Sequence, residues 1–193
     1  MPDIYYKKTI KYKLFDIELE YDAAENLFST FQIDLGSALL LRSLSMKISP
    51  SRILDIGCGY GTIGIYLARK FSNSTVLGLD RDLLAVKYAN MNAKKNNAEN
   101  FRAIGSIGVD EVQNQKFDLI VSNIPAKIGD KAIEEEFIFK PLELLTPEGE
   151  YWVVIVTALN RHFIKLTNQN KISLDLIRKR SGHIVYRIKN KNK

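Results

Sequence analysis

Apolar and polar residues follow two different patterns along the chain. Over residues 5–21 the two classes alternate with a period of two, except at Phe15 and Asp16, where the chain bends. This alternation predicts a β-hairpin. The next apolar segment, residues 38–46, follows four residues typical of a helix start and predicts a helix.

From residue 52 onward, short apolar runs alternate with amphipathic stretches. The runs that predict strands lie at residues 53–56, 75–79, 101–104, 117–122, 151–156, 173–177 and 183–188. The stretches that predict helices lie at residues 62–71, 83–96, 131–145 and 158–167. This order predicts an α/β, Rossmann-like fold with a mostly parallel seven-stranded sheet. The last two strands are too close around Gly182 for a helical crossover, so we expect a C-terminal antiparallel hairpin.

Length and composition are typical of one folded domain. The chain has 193 residues, of which 46% are hydrophobic and 26% are charged. We expect a single domain over residues 1–193, with an N-terminal β-hairpin extension over 1–25 and a catalytic core over 26–193. One cysteine excludes a disulfide scaffold, and no apolar run approaches the ~20 residues of a membrane span. Because the N-terminal segment is unlike a signal peptide, we expect a soluble cytoplasmic protein without membrane contact.

The formal net charge of +6 is unevenly distributed. Residues 1–13 carry a net charge of +3 and residues 161–193 carry +9, whereas residues 14–160 carry −6. Basic ends on an acidic middle favour contact between the ends and a polyanion. The densest basic cluster is Arg178, Lys179 and Arg180.

A glycine-rich loop joins the first central strand to the next helix. Residues 55–61 read D-x-G-x-G-x-G, and alternate glycines let the backbone turn tightly against a ligand. Residues 59–64 also match the dinucleotide pattern G-x-G-x-x-G. Asp55 favours S-adenosylmethionine instead, because a carboxylate attracts the methionine ammonium group and repels a pyrophosphate. Asp80, after the next strand, is suited to accept hydrogen bonds from ribose hydroxyls.

A second motif, Asn123-Ile124-Pro125, follows the fourth central strand. The Asn123 side chain and the Ile124 carbonyl offer two acceptors, which can hold the two hydrogens of an exocyclic amine. The amine lone pair would then point at a methyl donor, which is catalysis by positioning. We expect no metal site, since His162 and His183 have no second ligand at metal spacing.

Together these motifs resemble the small-domain class I methyltransferases, which include the guanine-N2 methyltransferases of ribosomal RNA. The resemblance rests on Phe28-Ser29 with residues 34–41, on residues 55–61 and on residues 123–125. The chain departs from the family's Asn-Pro-Pro-aromatic motif, because Ile124 replaces the first proline and Ala126 replaces the aromatic residue.

The resemblance implies S-adenosylmethionine as the cofactor and a set of site residues. The implied cofactor-binding residues are Asp34, Ser37, Asp55, Gly57, Cys58, Gly59, Gly61, Asp80, Arg81 and Ser106. The implied catalytic residues are Asn123, Ile124 and Pro125. The candidate substrate-binding residues are Phe28, Ser29 and Phe31 from the resemblance, and Arg178, Lys179 and Arg180 from the charge distribution. Cys58 is interpreted mainly as a packing residue, because no activating base is near it in the sequence.

The resemblance implies N-methylation of an exocyclic base amine in RNA, with guanine N2 in ribosomal RNA as the leading substrate. Two alternatives stay open. One is a protein N-methyltransferase that acts on glutamine or lysine, and the other is a non-catalytic RNA-binding protein that keeps the fold. We expect RNA as the partner, with a protein substrate as the alternative, and a monomer or a small homo-oligomer.

Overall fold

The computed structural model describes residues 3–24, 34–44 and 49–190. Within them the strands are β1 (Tyr6–Leu14), β2 (Ile17–Ala24), β3 (Arg52–Ile56), β4 (Thr75–Asp80), β5 (Phe101–Gly105), β6 (Phe117–Asn123), β7 (Leu145–Val156), β8 (Ile172–Arg180) and β9 (His183–Asn190). The α-helices are α1 (Leu35–Ser43), α2 (Thr62–Lys70), α3 (Leu83–Lys95), α4 (Asp130–Glu134), α5 (Lys140–Glu143) and α6 (Asn160–Asn168). A π-helical turn, Glu135–Phe139, joins α4 to α5.

A seven-stranded sheet in the order β5-β4-β3-β6-β7-β9-β8 forms the centre of the molecule. The pairs among β3 to β7 are parallel, whereas β9 runs antiparallel to β7 and β8. The predicted Rossmann-like fold, the C-terminal antiparallel hairpin and the separate N-terminal hairpin β1–β2 are therefore confirmed. The strand order reverses between β3 and β6, and this switch point is where open α/β sheets bind ligands.

Each face of the sheet packs against its own hydrophobic core. On one face, called here the hairpin face, residues such as Val121 and Val154 pack together with α1, α2, α3 and the β1–β2 hairpin. On the other, called the α6 face, the alternate residues Ile120 and Val153 pack with α4, α5 and α6. Burial on both faces explains why the inner strands are continuous apolar runs.

The N-terminal hairpin is attached to α3 through two asparagine side chains. Asn96 accepts a hydrogen bond from the Glu20 N–H at 2.9 Å and donates one to the Glu20 carbonyl at 2.7 Å. Asn92, one helical turn earlier, forms the same two bonds with Asp22 at 2.8 and 3.0 Å. The two amides therefore take the place of a neighbouring strand along the open edge of β2.

In the folded protein, the N-terminal hairpin does not carry a net positive charge. Its cross-strand register pairs Lys11 with Glu20 at 3.0 Å and Lys13 with Glu18 at 2.6 Å. Over residues 3–24, four lysines accompany five acidic residues. The positive charge of the first 13 residues is thus compensated within the fold.

The helix predicted over residues 131–145 is interrupted by the π-helical turn. Pro141 has no N–H to donate to the Phe137 carbonyl. That carbonyl instead accepts a hydrogen bond from the Tyr151 hydroxyl at 2.7 Å. A proline within the helix and a hydroxyl from β7 together account for the wider turn.

Two elements begin at least three residues before their predicted start. Helix α1 begins at Leu35 rather than at residue 38, because the Asp34 side chain caps it by accepting the Ser37 N–H. Strand β7 begins at Leu145, which pairs with Phe117 before a break in register. The single domain and its boundary after residue 25 stay predictions. Among the described helices none is long and apolar enough to cross a membrane.

We expect Asn92→Ala to lower the free energy of unfolding by about 2–4 kcal/mol, because it leaves buried backbone groups unpaired. Asn92 is fully buried and also donates to the Tyr60 carbonyl at 2.9 Å. Chemical denaturation measures the change, and Lys94→Ala, an exposed position on the same helix, is the control. Equal stability of the two variants would contradict the attachment of the hairpin through Asn92.

Candidate functional site

The predicted motifs lie together where the carboxyl ends of β3, β4, β5 and β6 form one edge of the sheet. Asp80 pairs in register with Gly105, and Ser122 pairs with Ile56. The glycine loop follows Ile56 and Asn123 follows Ser122, so the two motifs leave neighbouring strands. The Ser122 hydroxyl donates to the Ile56 carbonyl at 2.8 Å, which joins the two strand ends.

The glycine loop is held against β4 by backbone hydrogen bonds. The N–H groups of Gly57 and Cys58 donate to the Leu79 carbonyl at 2.8 and 3.0 Å. Gly57, Gly59 and Gly61 have φ angles of +71°, +55° and +97°, in the left-handed region that favours glycine. A Cβ added at Gly59 would meet no atom of residues 3–24, 34–44 or 49–190 within 4 Å, so these residues leave the space in front of the loop open.

Asp55 lies beneath this loop with 0% of its surface exposed. Its Oδ2 accepts a hydrogen bond from the Gly64 N–H at 2.8 Å, whereas its buried Oδ1 has no partner among the described residues. Burial raises the pKa of Asp55 to about 7, although the bond from Gly64 opposes the rise. A buried carboxylate with an unpaired oxygen is suited to a cationic ligand group.

Asp80 braces the neighbouring part of the site. Its Oδ2 accepts the Gly59 N–H at 2.8 Å and its Oδ1 accepts the Asp82 N–H at 3.0 Å. Each oxygen can accept a further bond from a ligand hydroxyl. Ser106 donates its N–H to the Asp80 carbonyl at 2.9 Å and its hydroxyl to a carbonyl of its own loop at 3.2 Å. Arg81 is exposed beside them.

Asn123 is oriented by the first turn of α1. Its Nδ2 donates to Asp34 Oδ2 at 2.6 Å and to Ser37 Oγ at 3.1 Å. The following backbone is held by the Ile124 N–H, which donates to the Val154 carbonyl at 3.0 Å. Asp34 and Ser37, predicted at the cofactor, thus contact the predicted catalytic residue.

The two departures from the family motif have different structural consequences. The Ile124 side chain is buried in the core of the α6 face, so the fold accommodates its apolar bulk. Pro125 and Ala126 are exposed, and Ala126 offers only a methyl group toward a ligand. The residues predicted to contact the base lie outside the described ranges, namely Phe28, Ser29 and Phe31.

The basic cluster of β8 lies at the same edge of the sheet as Asn123. Arg180 ends β8 and pairs with His183, and His183 pairs with Val156 at the carboxyl end of β7. Strand β7 pairs in parallel with β6, which ends at Asn123. Three strand spacings of about 4.8 Å therefore separate Arg180 from Asn123 along the edge.

The three basic side chains of this cluster point to two faces. Directly opposed residues of an antiparallel pair share a face. Arg178 is opposite Val185, which belongs to the core of the hairpin face, and Lys179 is opposite Ile184, which belongs to the core of the α6 face. Arg178 and Arg180 thus lie on the face of α1, and Lys179 lies on the other.

In their ion pairs, these three side chains differ from Arg187, the nearest arginine on β9. Arg187 contacts Glu150 at 2.6 Å and Asp175 at 2.7 Å, so its charge is neutralised within the sheet. Among the ion pairs of the described residues, none involves Arg178, Lys179 or Arg180. Their charges are therefore available to an anionic partner.

Three apolar side chains at this edge were not indicated by the motifs. Phe137 of the π-helical turn lies 3.6 Å from the position of a Cβ on Gly57. Leu83 and Ile107 follow the ends of β4 and β5 and are 71% and 69% exposed. In the sequence, Leu83 and Ile107 stand out only as apolar residues shortly after a predicted strand. Nothing in the sequence indicated Phe137.

Cys58 is a packing residue. Its side chain is buried, and burial raises the pKa of its thiol well above the usual range, which disfavours the nucleophilic thiolate. Its Sγ lies 2.9 Å from the position of a Cβ on Gly78, so the thiol occupies the space that this glycine leaves. Across residues 3–24, 34–44 and 49–190, no cluster of three His, Cys, Asp or Glu side chains is suited to a metal ion.

Comparison with known proteins gives consistent matches. The family model described as "Methyltransferase small domain" matches residues 18–187. The uncharacterized protein YbxB of Bacillus subtilis is 34% identical over 150 residues, which cover 77% of this chain and 74% of that protein. The ribosomal RNA small subunit methyltransferase C of Acinetobacter baylyi is 31% identical over 150 residues, which cover 75% of this chain and 44% of that protein.

Among solved structures, the T. thermophilus 16S rRNA N2 methyltransferase RsmC, in complex with AdoMet and guanosine, superposes with a TM-score of 0.79. It is 20% identical and the match covers 97% of this chain and 51% of that chain, so the likeness shows the fold. The chain spans about half the length of these named methyltransferases.

We expect the stability of the cofactor-free protein to depend on the ionisation of Asp55. Its pKa is about 7 in the folded protein, whereas the pKa of an unperturbed aspartate is 3.8. The stabilisation that this group gives is therefore full below about pH 4 and is lost as the pH rises toward 7, by up to about 4 kcal/mol.

Chemical denaturation at pH 5 to 8 tests this dependence. The stability of Asp55→Asn relative to the natural protein should increase as the pH rises, because the amide cannot ionise. Glu99→Gln, an exposed position before β5, is the control. A stability difference between Asp55→Asn and the natural protein that stays constant over this pH range would be inconsistent with the expected titration.

Proposed function

Because the chain belongs to the methyltransferase small-domain family, we propose that it transfers a methyl group from S-adenosylmethionine to an exocyclic amine of an RNA base, guanine N2 in ribosomal RNA. The observation that carries this proposal is the orientation of Asn123 at the end of β6, next to the glycine loop. The names of the A. baylyi relative and of the T. thermophilus enzyme support ribosomal RNA as the substrate class.

The cofactor S-adenosylmethionine supplies an electrophilic methyl group on a sulfonium centre. The unpaired Oδ1 of Asp55 fits the methionine ammonium group, and the open space at Gly59 fits a ligand against bare backbone. The Asp80 carboxylate is suited to the ribose hydroxyls. Leu83 and Ile107, exposed on either side of Gly105, are suited to contact the adenine.

The methyl acceptor is held by two oxygen atoms. Asn123 Oδ1 and the Ile124 carbonyl accept the two hydrogens of the amine, so that the nitrogen lone pair faces the methyl carbon. This nitrogen would form a bond to the methyl carbon as the bond between that carbon and the sulfonium sulfur breaks, which leaves a neutral thioether, and one amine proton would leave to solvent. Asn123 and Ile124 therefore act by position, and neither changes its own protonation.

The RNA is held by the basic residues at the same edge that form no ion pair within the described part of the chain. Arg178 and Arg180 lie on the face of α1 and Asp34, where they can contact phosphates on either side of an unpaired or extruded base. Because the ribosomal RNA methyltransferase of A. baylyi is a bacterial protein, we further propose that this enzyme works in the cytoplasm. We further propose that residues 1–193 form a single domain, which acts as a monomer or a small homo-oligomer.

Methyl-labelled S-adenosylmethionine tests the proposal directly. Purified protein is incubated with total RNA and, separately, with total protein from cells that lack the gene. Labelled RNA that digests to N2-methylguanosine supports the proposal, and another methylated amine keeps the mechanism with a different base. Label in protein supports the glutamine or lysine alternative. Cofactor binding without transfer to either pool supports the non-catalytic alternative.

We expect Asn123→Ala to reduce methyl transfer by about 10²-fold or more, because the amine loses one of the two groups that position it. The Kd for S-adenosylmethionine, measured by calorimetry, should change less than about threefold, since Asp55 and Asp80 are intact. Asn73→Ala, exposed at the opposite edge of the sheet, is the matched control. Full activity of Asn123→Ala would contradict the role given to this side chain.

We expect the double variant Arg178→Ala/Arg180→Ala to bind RNA more weakly, with a salt dependence reduced by about two charges. Filter binding at several salt concentrations gives both values. Lys70→Ala/Lys94→Ala removes the same charge at the C-terminal ends of α2 and α3, at the far edge of the sheet. Equal losses in both double variants would indicate a general charge effect and not contact at the site.

A further inference from the structure

The first turn of α1 controls which way the Asn123 amide points. We propose that Asp34 and Ser37 are positioning residues that fix the polarity of this amide, so that the site admits a hydrogen-bond donor and rejects an acceptor. The inference rests on the proposed methyl transfer and adds to it the reason why Asn123 presents oxygen rather than nitrogen to the substrate.

The two hydrogens on Asn123 Nδ2 both have acceptors at the start of α1. One is directed to Asp34 Oδ2 at 2.6 Å and the other to Ser37 Oγ at 3.1 Å. A carboxylate oxygen has no hydrogen to donate, so the atom of Asn123 that faces it has to be the nitrogen. With both hydrogens engaged, only Oδ1 is left for a ligand, and Oδ1 can only accept.

The polarity of Ser37 is fixed by the same carboxylate. Its backbone N–H donates to Asp34 Oδ2 at 2.9 Å, and its hydroxyl donates to the same oxygen at 3.4 Å. The hydroxyl hydrogen is thereby directed to Asp34, which leaves a lone pair of Oγ to accept from Asn123. Asp34 therefore orders the whole cluster, since each of its three bonds requires it to be the acceptor.

Gly36 explains why this cluster can form between two distant parts of the chain. A Cβ at Gly36 would lie 2.9 Å from Asp34 Oδ2, 3.0 Å from His183 Cδ2 and 3.4 Å from Asn123 Nδ2. The absence of a side chain lets the first turn of α1 rest directly on the ends of β6 and β9. Asp34 and Ser37 thus accept hydrogen bonds from Asn123, and Gly36 allows the close approach that these bonds require.

The consequence is selectivity for the kind of atom that reacts. An exocyclic amine donates to Asn123 Oδ1 and keeps its lone pair for the methyl carbon. A pyridine-type ring nitrogen or a carbonyl oxygen in the same place would set a lone pair against Oδ1, which is repulsive. The first turn of α1 therefore contributes to selectivity before the substrate binds.

Two substitutions separate this role from the capping of α1. Asp34→Ser keeps a side chain that caps helices well but is too short to reach Asn123. Asp34→Asn keeps a side-chain oxygen, and the hydrogen bond from the Ser37 N–H directs this oxygen toward Asn123. We expect Asp34→Ser to lower kcat by about 10²-fold with the KM for S-adenosylmethionine within about threefold of the natural value, and Asp34→Asn to restore kcat to within about tenfold.

Two kinetic results would overturn the proposal. One is a kcat of Asp34→Ser equal to that of the natural protein. The other is a loss confined to the KM for S-adenosylmethionine, which would make Asp34 a cofactor-binding residue. The substrate in these assays is protein-free ribosomal RNA, and thermal denaturation of each variant shows that α1 and the core remain folded.

A second measurement does not depend on activity and so distinguishes failure of this inference from failure of the proposed function. The Asn123 side-chain amide is identified in the proton–nitrogen spectrum by its loss in Asn123→Ala. In the natural protein its two protons should exchange slowly with water. In Asp34→Ser they should move to the position and exchange rate of an exposed amide, whereas Asp34→Asn should retain slow exchange. Identical Asn123 signals in Asp34→Ser and the natural protein would refute the proposal even if methyl transfer were observed.

Discussion

A carboxylate held out of water at the end of β3 is the constraint around which the site is built. Burial of Asp55 is unfavourable for its charged form, and the Gly64 N–H at the start of α2 compensates one oxygen only. The glycine loop passes directly over this group, and its backbone N–H groups are tied to β4 through Leu79 and Asp80. The loop, the first turn of α2 and the end of β4 are thereby fixed relative to one buried charge. A cationic ligand group would complete that arrangement.

At this edge of the sheet, acidic and basic side chains lie at the ends of different strands. Acidic side chains, Asp55 and Asp80, lie on the side of β3 and β4 and are suited to an ammonium group and to hydroxyls. The neutral acceptors Asn123 Oδ1 and the Ile124 carbonyl lie at the end of β6. Arg178 and Arg180, which form no ion pair among the described residues, lie at the end of β8. The charged residues at this edge are therefore grouped by the order of the strands in the sheet and not by their order along the chain. Its basic N-terminal segment is an exception, because lysines there are paired with acidic residues on β2.

Much of the fold and of the candidate site could be predicted from the sequence, because both depend on local patterns. Continuous apolar runs indicate buried parallel strands, and Gly182 between two short strands indicates the hairpin. The glycine loop and Asn123 could be placed at one edge, since both follow such runs. The π-helical turn could not be predicted, because it depends on a hydroxyl from Tyr151 as well as on Pro141.

Contacts between distant residues were also beyond local patterns. Asn92 and Asn96 take the place of a strand beside β2, which requires knowing that α3 lies there. Asp34 and Asn123 are separated by 89 residues, and only the fold shows that they share a hydrogen bond. The motif around Asp34 was assigned to the cofactor through the resemblance, whereas its described contacts are made with Asn123 and with its own helix.

The proposed methyl transfer requires that two oxygen atoms at the end of β6 hold the amine that is methylated. A crystal structure of the protein with S-adenosylhomocysteine and guanosine tests it most directly. We expect guanosine N2 to lie within about 3 Å of both Asn123 Oδ1 and the Ile124 carbonyl oxygen, on the side of the cofactor sulfur. A ring nitrogen, a base carbonyl or a ribose hydroxyl in that position would contradict it.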